Sequence, residues 1–366
     1  MKTRINVGVI GCGYWGPNLI RNFNSLPDCR LAAICDLDIK RLNHLKTLYP
    51  QVELHTDFQE FLASPDLQAV VIATSAPTHY QMAKESLLAG KHVFIEKPMA
   101  TSSADCDELV RLAEERRLTL MVGHTYLYSA PVRRIKEIIQ SGDIGEVLCI
   151  NARRLNLGLF QRNINVTWDL APHDISIILF VTGLLPVSIN CQGNSHVTKG
   201  IEDVTNMSMN FENGVFATLQ NSWLDPRKVR EMTIVGSRKM IVYDDVQQLE
   251  KVRIYDTRVD ALPPHYDTFG EFHFAYHYGD SHIPYIKQEE PLKVECQHFL
   301  DCLRTGATPL TDGVHGAHVV RILEACTQSL RQQGAAVPFD TASLPAQAPD
   351  NGSNGVPAVS ASLSRK

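Results

Sequence analysis

A glycine-rich turn near the start of the chain constrains the fold more than any other feature. Residues 5–10 form a short apolar run, and Gly11, Gly13 and Gly16 follow it as Gly-x-Gly-x-x-Gly, ahead of a helical pattern. In a strand-to-helix turn, the first glycine permits the tight turn, the second lets the backbone approach a pyrophosphate, and the third lets helix and strand pack closely. Unpaired N–H groups at the helix N-terminus then face the anion.

An acidic residue makes this weak motif more specific. Asp36 lies at the end of a second apolar run, 31–35, where a carboxylate can bind both ribose hydroxyls of an adenosine. It is followed by Asp38, so a 2′-phosphate would meet carboxylate repulsion, which Arg41 nearby would reduce. The sequence therefore predicts a dinucleotide site with NAD as the cofactor.

Composition limits the other possibilities. At 366 residues and 44% hydrophobic content, the chain is long enough for two domains with a large core. A net charge of -5 gives no general attraction to nucleic acid or anionic membranes, and no apolar stretch approaches the ~20 residues of a membrane span. The nine cysteines are odd in number and lack a CxxC pair, which favours a reducing compartment. Without a signal-peptide pattern, we expect a cytoplasmic protein.

The N-terminal third alternates strands with helices, which is typical of a parallel sheet covered on both faces. Strands are predicted at 5–10, 30–35, 69–73, 92–96 and 119–123, and helices near 15–25, 38–48, 57–63, 79–89 and 102–116. Ligands of such folds bind outside the carboxyl ends of the strands. Chemically conspicuous residues fall at those ends one after another: Gly11, Asp36, Thr74 with His79, Glu96 with Lys97, and His124.

Several of these residues receive predicted roles. Thr74, His79 and Glu96 are expected to contact the cofactor, and Tyr14 and Trp15 to pack against it or between domains. His124 and Tyr126 are candidates for the substrate pocket, with ordinary loop packing as the alternative.

The pattern changes after residue 126. A helix at 130–141, a strand at 146–156 and a helix from Asp169 to Thr182 precede six alternating segments and two helices, near 289–305 and 313–332. An Asn-Gly turn between alternating runs is a strong hairpin signal. The prediction is an α/β Rossmann domain, 1–126, an α+β domain with a large, mostly antiparallel open sheet, 127–338, and a disordered tail, 339–366.

Residues 261–286 are rich in His, Tyr and Phe. They are interpreted either as a lid, substrate loop or subunit contact, or as a loop packed on the sheet. The spacing of a zinc site is missing, so no metal is predicted.

Lys97 is the first candidate for proton transfer. It follows the apolar strand 92–96 and precedes Pro98, which restricts the backbone. A cationic nicotinamide beside it would lower the pKa of Lys97, which suits acid–base chemistry. The alternative is a surface lysine at the start of a loop.

Asp169 and His173 form a second constellation. A spacing of four places two side chains on one face of a helix. Pro172 suits a helix start, which would put His173 in the first turn, where the helix dipole favours the neutral ring. The alternative is an Asp cap and a core histidine, and the local sequence leaves the two open.

These motifs together resemble the glucose–fructose oxidoreductase/inositol dehydrogenase (Gfo/Idh/MocA) family over roughly residues 4–335. The likeness is carried by residues 9–16, Thr78-His79, Glu96-Lys97-Pro98 and Asp169-x-x-x-His173. The resemblance implies nicotinamide-dependent oxidation or reduction of a sugar or cyclitol hydroxyl, and an open sheet that often forms dimers or tetramers. It also implies Lys97 as active-site lysine, His173 as acid–base residue and Asp169 as its neighbour.

Longer segments resemble the nucleotide-sugar branch of this family: 13–19, 168–174, 295–299 and 309–313. That implies oxidation at C3 of a UDP-linked N-acetylhexosamine, with a PLP aminotransferase using the ketone in cell-envelope synthesis. The first twenty residues differ from the Gly-Ala-Ala-Gly-Tyr-Ile start of the uronic-acid enzymes, which favours UDP-N-acetylglucosamine. Arg153, Arg154 and Arg162 are candidates for the diphosphate, or are simply solvated.

Two other functions are also compatible with the sequence. One is an inositol or free-sugar dehydrogenase of the same family, and the other is a non-catalytic, NAD-binding regulatory protein. The presence of Lys97, Asp169 and His173 together argues against the second.

Overall fold

The computed structural model of the chain describes residues 4–260 and 275–340. Two sheets organise this part of the molecule, one of six strands and one of nine. Among the described helices, none is long and apolar enough to cross a membrane.

The first sheet is parallel throughout, with strand order β3-β2-β1-β4-β5-β6. Its strands are β1 (Ile5–Ile10), β2 (Cys29–Cys35), β3 (Glu53–His55), β4 (Ala69–Ile72), β5 (His92–Glu96) and β6 (Leu120–Gly123). The central strands are buried on both faces, which accounts for their continuous apolar runs. This confirms the Rossmann architecture expected from the glycine turn.

Helices connect these strands: α1 (Gly16–Ser25), α2 (Ile39–Leu48), α3 (Phe58–Leu62), α4 (Ala76–Leu88) and α5 (Ser103–Arg116). Side chains of Asp38, Asp57 and Ser102 cap the N-termini of α2, α3 and α5. The strand order reverses between β1 and β4, so the crevice at their carboxyl ends is the switch point where such folds bind ligands.

The second sheet has the order β14-β13-β12-β11-β7-β10-β9-β8-β15. Its strands are β7 (Val147–Leu157), β8 (Ser188–Asn194), β9 (Val204–Asn210), β10 (Phe216–Ser222), β11 (Leu224–Gly236), β12 (Met240–Asp244), β13 (Val252–Asp260), β14 (Ala275–His282) and β15 (Val337–Pro338). The pair of β7 and β10 is parallel and the other pairs are antiparallel, which confirms the mostly antiparallel sheet.

A short 3₁₀ helix (Thr125–Tyr128) and four α-helices complete the described chain: α6 (Ala130–Gln140), α7 (Val166–Thr182), α8 (Pro291–Thr305) and α9 (Gly313–Arg331). α7 packs on the inner face of the second sheet, against β7, β9 and β10. α8 and α9 return to the first sheet, where α8 packs on α1 and α9 packs on α5 and β6.

The structure bears on the predicted aromatic segment, the predicted tail and the predicted start of β11. Part of the aromatic segment, 275–282, is strand β14, whereas 261–274 lies outside the described residues, and so does the predicted tail from residue 341. Phe339 is buried in the core, one residue beyond the predicted boundary at 338. β11 begins at Leu224 rather than near 229, because Leu224 already pairs with Leu157 of β7 ahead of a bulge that precedes Val229.

Candidate active site

The glycine turn has the shape that a bound pyrophosphate needs. Gly11 has φ +91, and a Cβ there would lie 2.7 Å from the carbonyl oxygen of Ala73. A Cβ on Gly16 would collide with the carbonyl oxygen of Gly11. Around Gly13, by contrast, the described atoms leave the space open. Two glycines therefore permit close packing and the third leaves room for a ligand, so these residues fit a dinucleotide.

Asp36 is fixed at the mouth of this crevice. Its Oδ2 accepts the N–H of Cys12 at 2.6 Å, and its Oδ1 accepts the N–H of Asp38 at 2.8 Å. The guanidinium of Arg41 lies 3.8 Å from Oδ2. The carboxylate is thus held by backbone amides beside the turn, where ribose recognition is predicted.

Thr74 and His79 tie together the segments that follow β4 and β5. The hydroxyls of Thr74 and Thr78 are 2.8 Å apart. The His79 ring is buried, with Nδ1 2.8 Å from the Pro98 carbonyl oxygen and Nε2 3.2 Å from that of Thr74. Burial lowers the pKa of His79, so the ring is neutral and its single N–H serves one of these carbonyls. Direct contact with the cofactor stays a prediction for both residues.

Glu96 is buried at the end of β5. A Cβ on neighbouring Gly123 would lie 3.0 Å from Glu96 Oε1, and the backbone N–H of Lys97 donates to Glu96 Oε2 at 3.3 Å. Burial raises the pKa of Glu96 to about 7, although Lys97 opposes the shift. Tyr14 is 88% exposed, so it does not pack between domains, and its contact with the cofactor stays a prediction.

Lys97 reaches from the first sheet to α7. Its Nζ donates to the backbone carbonyl of Asp169 at 3.0 Å and lies 3.8 Å from the carboxylate oxygen Oδ1 of the same residue. Burial lowers the pKa of Lys97, while the charges of Asp169 and Glu96 raise it. The lysine side chain is therefore partly buried between the two sheets, with 20% of it exposed, and its role in proton transfer stays a prediction.

Helix α7 begins earlier than predicted. The side chain of Asn165 accepts the N–H of Trp168 at 3.1 Å and caps a helix that starts at Val166. Asp169 thus lies within the first turn, and the prediction that Pro172 lies there was wrong, since it is inside the helix. Because proline lacks an N–H, the carbonyl of Trp168 has no backbone partner one turn later in the helix.

His173 lies one helical turn after Asp169, and its ring is 5.0 Å from that of Tyr126. The Tyr126 hydroxyl accepts bonds from Arg154 at 3.1 Å and from Arg230 at 2.9 Å. Burial above all, with the charges of Lys97 and Arg154, holds the pKa of His173 well below its usual value. The ring is therefore neutral, and its buried Nδ1 has no hydrogen-bond partner within residues 4–260 and 275–340.

His124 is also buried, at the end of β6, with its ring 5.2 Å from that of His315. Neither ring nitrogen of His124 bonds to another described residue. Burial, His315 and Lys97 hold the pKa of His124 well below its usual value, so it is a neutral ring in the wall next to Lys97.

The three arginines that were predicted to bind the diphosphate lie in different surroundings. Arg154 points inward and makes a two-pronged ion pair with Asp174, at 2.9 and 2.8 Å. Arg153 points to the other face of the sheet, where it pairs with Glu231 and lines a cavity of about 540 Å³. Because successive residues of a strand alternate between faces, Arg153 does not join the site, which corrects that prediction. Arg162 is exposed between β7 and α7, and its role stays a prediction.

Sequence reasoning missed two residues of the site. Arg230 of β11 is paired in register with Arg154 of β7 and reaches Tyr126. Trp223, between β10 and β11, donates its indole N–H to Asp169 Oδ2 at 3.0 Å. A signal for either would have required the order of strands in the second sheet, which local periodicity does not contain.

Lys97, Asp169 and His173 lie close together. A partly buried amine, a carboxylate and a neutral imidazole meet where the carboxyl ends of the first sheet adjoin the helix on the second, next to the glycine turn. Such a set can hold a hydroxyl group, accept its proton and stabilise the resulting charge.

Two family models match the chain. The model for the GFO/IDH/MocA oxidoreductase family with an NAD-binding Rossmann fold matches residues 5–124, and the model for the GFO/IDH/MocA C-terminal domain matches residues 132–242.

Individual proteins are similar over nearly the whole chain. The uncharacterized oxidoreductase YrbE of Bacillus subtilis is 25% identical, covering 90% of this chain and 95% of its own. The myo-inositol 2-dehydrogenase of Thermotoga maritima is 24% identical, covering 90% and 97%. Among solved structures, the UDP-N-acetylglucosamine 3-dehydrogenase GnnA of Acidithiobacillus ferrooxidans superposes with a TM-score of 0.74 at 23% identity, covering 90% and 99%. That last likeness shows the fold alone.

Proposed function

The chain belongs to the Gfo/Idh/MocA family of NAD-binding oxidoreductases, and from that premise we propose that it oxidises C3 of a UDP-linked N-acetylhexosamine. The first candidate substrate is UDP-N-acetylglucosamine. The observation that carries the proposal is the meeting of Lys97, Asp169 and His173 beside the glycine turn. The nucleotide-sugar motifs in the sequence support the substrate class, and the fold likeness to the Acidithiobacillus enzyme agrees with it.

The cofactor is NAD, held by residues already described. The backbone around Gly11, Gly13 and Gly16 would cradle the pyrophosphate, and Asp36 would bind the adenosine ribose. When bound, NAD would supply the acceptor for the hydride that leaves the carbinol carbon.

The chain's own task is to accept the hydroxyl proton. As the C–H electrons leave with the hydride, the O–H bond breaks, its electrons form the carbonyl, and the proton moves to a base. Lys97 Nζ is the stronger base of the two candidates, because the pKa of His173 is held well below its usual value. The protonated lysine is then stabilised by the backbone carbonyl and the carboxylate of Asp169. His173, as a neutral ring, orients the hydroxyl.

Absorbance at the NADH band tests this directly. The full chain is mixed with NAD and a panel of sugars, each with and without the UDP group. We expect NADH only with UDP-N-acetylhexosamines, and Lys97→Ala should abolish turnover by removing the base while NAD binding is retained. Lys84→Ala, which removes a partly exposed lysine of α4 paired with Glu108 of α5, is the control and should keep wild-type turnover. Unchanged turnover in the Lys97 variant would refute the assignment of the base.

A second candidate, an inositol or free-sugar dehydrogenase, is favoured by one observation. The myo-inositol 2-dehydrogenase of Thermotoga maritima matches 90% of this chain without any nucleotide in its named substrate. NADH formation with myo-inositol or free sugars, and none with UDP-sugars, would select it. NAD binding without any turnover would instead favour a regulatory protein.

The proposed product determines the wider context. A 3-keto nucleotide sugar is a substrate for a PLP-dependent aminotransferase, so we place the reaction before the formation of a 3-amino sugar for cell-envelope polymers. We also propose a homodimer or homotetramer formed through the open face of the second sheet, where the cavity beside Arg153 lies. All nine cysteines are free thiols, which agrees with a reducing cytoplasm. Light scattering of the purified chain measures the oligomeric state.

A further inference from the structure

Trp223 is among the largest fully buried side chains, and it contacts the active site from the second sheet. It lies between β10 and β11 and is 1% exposed. Its indole Nε1 donates to Oδ2 of Asp169 at 3.0 Å. A hydrogen bond between a buried indole and a carboxylate is charge-assisted and therefore strong.

The position of the indole is fixed from several sides. The backbone N–H of Trp223 donates to the Asp203 carbonyl at 2.9 Å, and its own carbonyl accepts the N–H of Gly158 at 3.2 Å. The ring of Phe160 packs 5.4 Å from it. A Cβ on Gly158 would lie only 2.7 Å from Cδ1 of the indole, so the absence of a side chain there makes room for the ring. The N–H direction is therefore set by the sheet and not by α7.

This bond decides which carboxylate oxygen faces Lys97. Oδ2 is occupied by the indole, and Oδ1 lies 3.8 Å from Nζ, beyond hydrogen-bond distance. Nζ bonds instead to the backbone carbonyl of Asp169 at 3.0 Å. Rotation of the carboxylate about its side chain would bring an oxygen into direct contact with the amine.

We propose that Trp223 is a positioning residue that holds the Asp169 carboxylate away from Lys97, so that the amine stays available to the reacting hydroxyl. The inference rests on the proposed function, since it assigns Lys97 as the proton acceptor. Without the indole N–H, the carboxylate closes on Nζ and the lysine keeps its proton. The charged and titratable groups around Lys97 are Asp169, Glu96, Arg154, His173, His124 and His79.

The test is Trp223→Phe, which keeps an aromatic ring and removes the N–H. We expect the pKa of Lys97 to rise by about one pH unit, kcat at neutral pH to fall about tenfold, and KM to change less than about twofold. Trp168→Phe is the matched control, because its indole N–H donates at 2.9 Å to the neutral hydroxyl of Thr327. This variant also loses an indole hydrogen bond next to Asp169, but one made to an uncharged group, and it should keep the wild-type pH profile.

Two measurements separate the possible failures. The pKa of Lys97 is read without any substrate, by NMR of ¹³C-methylated lysines with the resonance identified by Lys97→Arg. A Trp223→Phe protein with an unmoved Lys97 pKa overturns the inference, whether or not the substrate is the one proposed. If instead the Lys97 pKa rises but wild-type protein oxidises no sugar, the proposed function fails and the positioning role stands.

A double-mutant cycle distinguishes positioning from general stability. If Trp223 acts through the carboxylate, adding Trp223→Phe to Asp169→Asn lowers the residual kcat by less than about twofold. A full additional tenfold loss would show that Trp223 acts independently of Asp169.

Discussion

At the scale of single residues, the buried carboxyl group of Glu295 makes the stability of the protein depend on pH. Its Oε2 accepts the hydroxyl of Thr125 at 2.7 Å, and its Oε1 is buried without a hydrogen-bond partner among the described residues. Burial above all, with the charge of Glu96, holds the pKa of Glu295 well above its usual value. The folded protein therefore favours the protonated acid.

The sign of the effect on stability follows from linkage. Folding raises the pKa of this carboxyl group. Its contribution to stability is therefore fully present below the unfolded pKa, near 4.3, and that contribution is lost as the pH rises toward the folded pKa. At pH 7.5 we expect the Glu295→Gln protein to be more stable than wild type, by at most about 1.4 kcal/mol for each pH unit between the unfolded pKa and the folded pKa. At pH 4.5 its stability should change little. Urea unfolding at both pH values measures the difference.

Glu115→Gln is the control, because Glu115 is an exposed partner of Arg111 on α5. It should change stability little at either pH, as most surface ion pairs do. If Glu295→Gln shifts the urea midpoint equally at both pH values, folding does not raise the pKa of Glu295 and the expectation is wrong.

At the scale of elements, α7 shows how a cap positions chemistry. Asn165 caps the helix through Trp168 N–H, and its Nδ2 donates to Glu202 at 2.8 Å. We expect Asn165→Ala to cost about 1 kcal/mol of unfolding free energy, as lost caps do, and to lower kcat because Asp169 lies in that first turn. Urea midpoints and NADH formation measure the two effects.

The control for the cap is Asn163→Ala, an exposed residue just before the helix. It should leave both measurements unchanged. An Asn165→Ala protein with wild-type stability would mean that water or Glu202 satisfies the helix N-terminus without the cap.

The elements also show which features of the fold the sequence predicts and which it does not. Apolar runs ending in Gly11, Asp36 and Lys97 predict the first sheet and its ligand edge, because strand periodicity and turn glycines are local signals. The start of α7 was misplaced because a proline usually marks the first turn, whereas Asn165 supplies the cap here. Arg153 was misassigned because the face of a strand depends on its neighbours' register.

At the scale of the whole molecule, the last helices complete the first sheet. Phe299 of α8 packs its ring 6.3 Å from Phe23 and 5.7 Å from Phe94. Arg304 pairs with Asp28 at 2.6 Å, and Arg321 of α9 pairs with Asp107. Part of the packing of the N-terminal fold is therefore supplied by α8 and α9.

This arrangement predicts the behaviour of fragments. We expect residues 1–126 alone to lack a cooperative thermal transition, because Phe23 and Phe94 lose Phe299 and Thr125 loses Glu295. A fragment of residues 1–340, which keeps every described element, is the control and should unfold cooperatively. Circular dichroism on heating compares them, and a sharp transition with NAD binding in the short fragment would contradict the expectation.

Because α8 and α9 pack on the N-terminal part of the chain, the first sheet is synthesised well before the helices that complete it. Between Gly123, where the first sheet ends, and Pro291, where α8 begins, the ribosome adds roughly 170 residues, which at about 5–20 residues per second takes roughly ten to thirty seconds. Throughout that interval the nascent sheet has apolar surface without its partner helices. The third of the protein made first is thus among the last parts to be completed, because its folding waits for the translation of α8 and α9.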